Sequence, residues 1–301
     1  MEYQSGAVSP VGSISEGWNI IKDNYWLFFG MTAVAIIILF VAALILGFIN
    51  NIITLAVSAA FGMATQNSGE VGRASAAIVP QLVSMFISIF TNIIVLIISG
   101  ALFCGIYKAL SRQANSGSAD FGDLFSGFQK LMPCLVVAVV MSLVQFVISI
   151  VFLLGGAAVG VSAIGIGMLT KDGQFNPALF GGLFLIILVF LGIYIIISLV
   201  ISALTAFVYP LISERDLSGG QALLLSIKSG FSNLIGLILL FILLGLMGLG
   251  GVLLCFVGIF FVAPILSAAI FAAFRSVWGR TQDFRQYNPP TPPVFGNQPG
   301  Y

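Results

Sequence analysis

The chain has 301 residues, of which 59% are hydrophobic and 7% are charged, with a formal net charge of +1 and a mean hydropathy of +1.15. About a quarter of the residues of a soluble domain are charged, so this composition excludes a wettable globular surface and indicates a membrane protein. The near-neutral charge excludes the basic excess typical of nucleic-acid binding, and histidine, the commonest metal ligand, is absent.

Six apolar segments follow in chain order, and each approaches or exceeds the roughly 20 residues that cross a bilayer. They are Tyr25–Ile49, Pro80–Phe103, Pro133–Leu154, Ala178–Tyr209, Phe231–Gly248 and Val252–Phe274. We therefore predict an all-α integral membrane protein with six transmembrane helices. Pro80 and Pro177 are expected near the starts of the second and fourth helices. The glycine-rich segment Gly245–Gly251 predicts a tight turn between the last two helices.

Two apolar stretches rich in small residues follow the first and third predicted helices. These are Ile52–Ala64 and Gly155–Leu169. Either they extend the helices beyond the bilayer, or they fold back at its outer face. Gly156 and Gly160 have the spacing that permits close helix–helix approach, although this spacing is a weak signal in a chain with 34 glycines.

The basic residues are distributed unequally between the two sides of the predicted bundle. One side carries Lys22, Lys108, Arg112, Lys130, Arg215, Lys228, Arg275, Arg280 and Arg285, and the other carries Arg73 and Lys171. Positively charged loops are retained in the cytoplasm. The sequence therefore predicts a multi-pass protein of the bacterial inner (plasma) membrane with both termini in the cytoplasm.

A glycine–aromatic pair precedes each odd-numbered predicted helix. The pairs are Gly17–Trp18, Gly127–Phe128 and Gly230–Phe231. Tyr107 and Tyr209, near the ends of the second and fourth helices, show nearly the same offset as the last two pairs. A constant offset across a whole hairpin indicates duplication. We predict a transmembrane domain of residues 14–278 built from three repeated hairpins (about 14–112, 120–215 and 218–278), with residues 1–13 and 279–301 as cytoplasmic tails.

Each hairpin is preceded by a segment whose apolar residues recur at helical spacing. The segments are Val11–Asp23, Phe121–Lys130 and Ser218–Ser229, with Asp120 and Ser218 as predicted N-caps. We predict short interfacial helices, after which the glycine lets the chain bend into the bilayer. The alternative is that these helices run straight into the spans.

These motifs carry a resemblance to a known family. The segments Asn24–Gly30, Asp120–Phe128 and Tyr209–Phe231 resemble a bacterial family of six-span membrane proteins. That family is related to the membrane domain attached to some glycerophosphodiester phosphodiesterases. The resemblance covers about residues 14–276 and implies the six-helix fold and a link to envelope lipids. Because the hydrolase domain lies outside the matching region, no catalytic residue is implied.

The sequence offers no arrangement typical of an enzyme, so we predict no catalytic residue, no cofactor and no metal site. The acidic residues near the cytoplasmic side are Asp120, Asp123, Glu214 and Asp216. We expect them to cap helices or pair with neighbouring basic residues rather than to hold a metal ion. Cys104, Cys134 and Cys255 lie in or beside apolar segments, where cysteine behaves as a small hydrophobic residue.

Uncharged polar residues follow the predicted helices and form what we call the polar seam. Its members are Gln81, Ser84, Ser88, Asn92, Ser142, Gln145, Ser149, Ser198 and Ser202. One interpretation is hydrogen bonding between helices. The other is a weakly polar cavity among the first four helices.

These observations favour a non-enzymatic structural or accessory envelope protein. Its expected partners are membrane lipids, with a homo-oligomer or a membrane partner protein left open. A permease or channel for a small neutral or amphipathic solute, using the polar seam, is the alternative. The Pro-rich segment Gln286–Tyr301 is expected to be a solvated tail.

Overall fold

The computed structural model describes residues 3–64, 70–169, 177–254 and 257–279, which form helices and contain no strand. The ten α-helices are α1 (Pro10–Ile21), α2 (Tyr25–Ala64), α3 (Glu70–Ser116), α4 (Asp123–Ser126), α5 (Leu131–Leu169), α6 (Pro177–Thr205), α7 (Val208–Arg215), α8 (Gly219–Ser232), α9 (Leu234–Leu253) and α10 (Val257–Trp278). Among these described residues, six helical segments are long and apolar enough to cross a membrane. The prediction of a helical protein with six candidate spans is confirmed. Lys171, Cys255, Arg280, Arg285 and the predicted tail 286–301 lie outside the described residues.

Helices α2, α3 and α5 extend beyond the predicted spans. Ile52–Ala64 continues α2 and Gly155–Leu169 continues α5, so the folded-back alternative for these stretches was wrong. Helix α3 begins at Glu70, so Pro80 lies inside it rather than at its start, whereas α6 begins at Pro177 as predicted. Extension of the helix keeps backbone groups hydrogen-bonded within the segment, and a single proline removes only one such bond.

The turn between the last two spans does not lie in Gly245–Gly251, because α9 continues to Leu253. Of the glycines in this part of α9, Gly251 serves close packing instead, whereas a Cβ on Gly245, Gly248 or Gly250 would meet nothing within 4 Å. A Cβ atom on Gly251 would lie 3.0 Å from the carbonyl carbon of Gly258, and one on Gly258 would lie 2.6 Å from the carbonyl oxygen of Gly251. The two helix backbones therefore approach each other closely at this point.

The fourth predicted span is interrupted after Thr205, where α6 ends and α7 begins at Val208. Pro210 lies in the first turn of α7, where its missing N–H is tolerated. Ser226 of α8 bridges the interruption, since its Oγ accepts from Phe207 N (3.2 Å) and donates to Leu204 O (2.8 Å). A side chain from another helix thus satisfies the backbone groups that the interruption leaves unpaired.

The buried core lies at one end of the bundle, which we call the charged end because Arg112, Asp123, Lys130 and Asp216 pair there. At this end α1 packs on α10, α4 packs on α3, and α8 packs on α5 and α6. The largest fully buried side chains are Trp278, Phe28, Phe207, Phe271, Phe274, Ile21, Met31, Leu102, Leu110, Leu124, Leu211 and Ile212. The short helices therefore supply part of the core.

Away from the charged end, the long helices expose large apolar side chains. Examples are Phe40, Phe48, Phe86, Phe90, Val147, Phe184, Ile187 and Leu191. In the most apolar 18-residue segment of the second candidate span, and in that of the fourth, no residue is buried within the described chain. Such a surface is compatible with lipid rather than with water.

Candidate functional site

Five of the nine polar-seam residues line one cavity between α3 and α5. They are Ser88, Asn92, Ser142, Gln145 and Ser149. The cavity has a volume of about 260 Å³, and Met85, Ile89 and Phe146 form the apolar part of its wall. This is slightly below the range of about 300–1,000 Å³ typical of ligand pockets and is ample for water molecules.

Hydrogen bonds link the helices around this cavity. Asn50 Nδ2 of α2 donates to Ser88 Oγ (3.2 Å), and Ser88 Oγ donates to Ser84 O within α3 (2.8 Å). Ser142 Oγ of α5 lies 3.4 Å from Asn92 Oδ1, the limit of a weak hydrogen bond. Polar side chains therefore join α2 to α3 and α3 to α5 beside the cavity, in line with the first of the two interpretations of the seam.

The cavity lined by Asn92 and Gln145 does not include the seam residues of α6. Ser198 and Ser202 lie on α6, outside the set of residues that line the cavity. Gln81 lies on α3, but its side chain is outside the described part of the chain. Helices α5 and α6 do meet through aromatic rings: the ring of Phe152 lies 5.9 Å from that of Phe190 and 5.4 Å from that of Tyr194.

A packed layer lies between the seam cavity and the charged end. Gly100 of α3 is buried there, and a Cβ at this position would lie 2.9 Å from Tyr209 Cε1 and 3.3 Å from Cys134 Sγ. Cys104 Sγ lies 3.9 Å from Cys134 Sγ, and both cysteines are buried. A polar path along α3 from the cavity to the charged end would have to pass through this layer.

The glycine of each glycine–aromatic pair lies against the backbone of a long helix from another hairpin. A Cβ would lie 2.9 Å from the carbonyl oxygen of Ala268 if placed on Gly17, 1.8 Å from that of Ala101 if placed on Gly127, and 3.1 Å from that of Ala203 if placed on Gly230. All three alanines are fully buried. Glycine is therefore required at these positions for close backbone packing, whereas the sequence suggested a bend.

The aromatic member of each pair points outward instead. Trp18, Phe128 and Phe231 have exposed fractions of 43%, 36% and 60%. The glycine beside each is buried. In each pair, the glycine therefore packs against the protein, and the aromatic side chain is available to the membrane.

Two of the four acidic residues at the charged end, Asp123 and Asp216, pair with basic residues. Arg112 Nη1 donates to both carboxylate oxygens of Asp123, at 2.7 and 2.9 Å, and Lys130 pairs with Asp216. Asp120 is not the residue that caps α4, since Gly122 holds that position; Asp120 Oδ1 accepts from Gly122 N in a local turn. Ser218 is the N-cap residue of α8, without a side-chain capping bond.

Sequence reasoning missed Ser226, which bridges the interruption between α6 and α7. A signal for it exists, because Ser226 precedes Gly230 by four residues, just as Asp123 precedes Gly127 and Ser13 precedes Gly17. All three of these polar side chains are buried. In each hairpin, a buried polar residue therefore lies four residues before the glycine of the glycine–aromatic pair.

Within the described ranges no three His, Cys, Asp or Glu side chains come together as a set of metal ligands. Comparisons of the chain with protein-family models, with curated proteins and with solved structures find no match.

Proposed function

We propose that this chain is a non-enzymatic structural or accessory protein of the bacterial inner membrane that associates with lipids or with a membrane partner protein. The observation that carries the proposal is the contrast between the two ends of the bundle. The charged end is closely packed, whereas the apolar faces of α2, α3, α5 and α6 beyond it are exposed. An apolar surface of this extent is stable only when lipid or another membrane protein covers it. The resemblance to a six-span family linked to envelope lipids agrees with this proposal.

A photo-crosslinking amino acid tests what covers this surface. Placed at Ile187, which is exposed on α6, it should form adducts with lipid or with a second protein in native membranes. The same group at Leu211, which is fully buried, is the control and should react only within the chain. Mass spectrometry of the adducts would identify the partner. Intramolecular products alone at Ile187 would contradict the proposal.

A permease or channel for a small neutral or amphipathic solute is the second candidate. The cavity lined by Asn92 and Gln145 favours it, because both side chains are exposed to that space. The packed layer at Gly100 and Cys134 speaks against a continuous path and favours the structural role.

Water access to the cavity distinguishes the two candidates. Asn92→Cys and Gln145→Cys, in a background without Cys104, Cys134 and Cys255, would be treated with a small water-soluble thiol reagent. For the structural role we expect little or no labelling, because lipid rather than water fills the space. Rapid labelling of both positions from the same side of the membrane would support the permease instead.

We also propose that both termini lie in the cytoplasm, because basic residues are concentrated at the charged end. Reporter fusions after Arg112, Glu214 and Arg285 should then report the cytoplasm. Fusions near Arg73 and Lys171 should report the opposite face. A cytoplasmic result at Arg73 would contradict six spans with this orientation.

The three hairpins are, we propose, products of internal triplication, each preceded by a short interfacial helix. The three contacts between a glycine and an alanine carbonyl support this, since each joins the short helix of one hairpin to the second long helix of another. Helix α4 contacts the first hairpin, α8 contacts the second, and α1 contacts the third. The contacts therefore run in a cycle. The outward aromatic side chains beside the glycines support a location at the membrane interface.

A further inference from the structure

A second cavity, of about 230 Å³, lies at the charged end between α3, the 3-10 turn Gly127–Lys130 and α7. Its polar lining includes Lys108, Gln129, Lys130 and Asp216. The packed layer at Gly100 and Cys134 separates it from the cavity lined by Asn92 and Gln145. It is not used by any function proposed above.

The charges in this cavity do not balance. Lys130 pairs with Asp216, whereas no described acidic side chain pairs with Lys108. Two ammonium groups and one carboxylate leave one positive charge on the lining. An anion with a single negative charge is therefore the complementary ligand.

The hydrogen-bonding groups of the cavity also favour an anion. Ser213 Oγ already donates to Cys104 O (2.8 Å), and Ser126 Oγ already donates to Asp123 O (2.7 Å). The donors left for a ligand are the Lys108 ammonium group and the Gln129 amide, both of which are exposed, and the N–H groups of Lys130 that Asp216 does not occupy. Ammonium and amide groups both donate to phosphate oxygens.

The surroundings of the cavity favour a lipid as the source of that anion. Phe128 and Leu131 flank the lining residues Gln129 and Lys130 in the chain, and both are exposed apolar side chains. Met132, the next residue, is also exposed. A ligand with a phosphate group and acyl chains would contact both the polar cavity and this apolar edge.

We propose that this cavity binds the phosphate group of an anionic phospholipid, with Lys108 as its cationic ligand. The inference rests on the proposed association with lipids and names one class of lipid and one site for it. A phosphodiester carries one negative charge, which matches the excess charge of the lining. Lys108 on the exposed side of the cavity remains accessible to a headgroup.

The test compares Lys108→Gln with Lys228→Gln in detergent-solubilised full-length protein. Lys228 is an exposed lysine on α8 outside the cavity, so it makes a matched control for loss of one charge. Binding of phosphatidylglycerol would be measured by native mass spectrometry and by the rise in melting temperature. We expect Lys108→Gln to weaken binding about tenfold or more, the loss expected when one hydrogen bond between charged groups is removed. Lys108→Arg should keep the binding, and Lys228→Gln should bind like the parent.

Further comparisons separate the sources of the anion. Inorganic phosphate and phosphatidylcholine would be tested beside phosphatidylglycerol, and both should raise the melting temperature less. Equal stabilisation by inorganic phosphate would overturn the lipid assignment, and equal binding by the parent and Lys108→Gln would overturn the site. The crosslinking at Ile187 separates this inference from the proposed function. If the phosphate site is wrong but the proposed function is right, adducts still form at Ile187, whereas binding of phosphatidylglycerol does not depend on Lys108.

Discussion

At the residue scale, glycine is needed in the glycine–aromatic pairs because neighbouring backbone atoms leave no space for a side chain. The greater conformational freedom of glycine is not the reason. Gly127 lies between Ala101 and Gly105 of α3, and a Cβ on Gly105 would itself lie 2.0 Å from Leu124 O. Backbone atoms on either side of this contact cannot move aside as the end of a flexible side chain could. This pair of glycines therefore fixes how closely α4 and the 3-10 turn that follows it pack on α3.

The first prediction is that Gly127→Ala destabilises the protein. The added methyl group would collide with Ala101 O, and overpacking of this kind costs about 1–3 kcal/mol. Gly220→Ala in α8 is the control, since its Cβ meets nothing within 4 Å and alanine favours a helix by about 1 kcal/mol. The free energy of unfolding would be measured by denaturant titration in detergent. Equal stability of the two variants would rule out the close packing.

A second prediction concerns the two ion pairs of the charged end. Asp123 has an exposed side-chain fraction of 6% and Arg112 one of 51%, whereas Asp216 has one of 73%. In a double-mutant cycle, Arg112→Gln and Asp123→Asn should show a coupling free energy of about 1–2 kcal/mol, because the carboxylate is shielded from water. The same cycle on Lys130 and Asp216 should give less than about 1 kcal/mol. A larger coupling for the exposed pair would contradict this order.

At the element scale, the interruption between α6 and α7 depends on a helix from the next hairpin. Ser226 of α8 supplies both a donor and an acceptor to backbone groups of residues 204 and 207. Helix α8 is itself held against α5, where a Cβ on Gly219 would lie 2.3 Å from Pro133 O. The path of the fourth span is therefore decided by the packing of α8.

The third prediction is that Ser226→Ala destabilises the protein by about 1–3 kcal/mol, because it leaves a buried amide and a carbonyl unpaired. Ser276→Ala is the matched control. Its hydroxyl bonds only to Ala273 O of its own helix, so we expect a change within about 0.5 kcal/mol. Melting temperatures in detergent would measure both. A neutral Ser226→Ala would show that water replaces the serine at the interruption.

At the scale of the whole molecule, the two ends of the described chain meet. Gln4 N donates to Val277 O (2.9 Å), Ala7 N donates to Asn233 Oδ1 (2.8 Å), and Asn233 Nδ2 donates to Gln4 O (3.0 Å). Helix α1 then packs on α10. The N-terminal residues predicted as a tail thus join the first hairpin to the last.

The fourth prediction is that Asn233→Leu releases this N-terminal segment. Loss of the amide leaves Ala7 N and Gln4 O unpaired, so limited proteolysis should cleave before Pro10 faster than in the parent, with a stability loss of about 1–3 kcal/mol. Asn51→Leu is the control, since its amide donates only to Gly47 O of its own helix. Unchanged cleavage in Asn233→Leu would show that other contacts hold the segment.

The sequence by itself determined the helical class, the six candidate spans and helix starts such as Tyr25 and Pro177. These follow from local properties, because a segment of sufficient apolar length has few alternatives to a helix in a bilayer. It also indicated the positions of Gly17, Gly127 and Gly230 as special, but it misread their role as bends.

Only the tertiary structure decided which backbone each of these glycines meets. It likewise decided that Asn92 and Gln145 share a cavity while Ser198 lies outside it. The helical period places polar residues on one face of a helix, but it carries no information on which helix lies opposite. Neighbours are selected by the packing of all the helices together, and in this protein that packing is concentrated at the charged end.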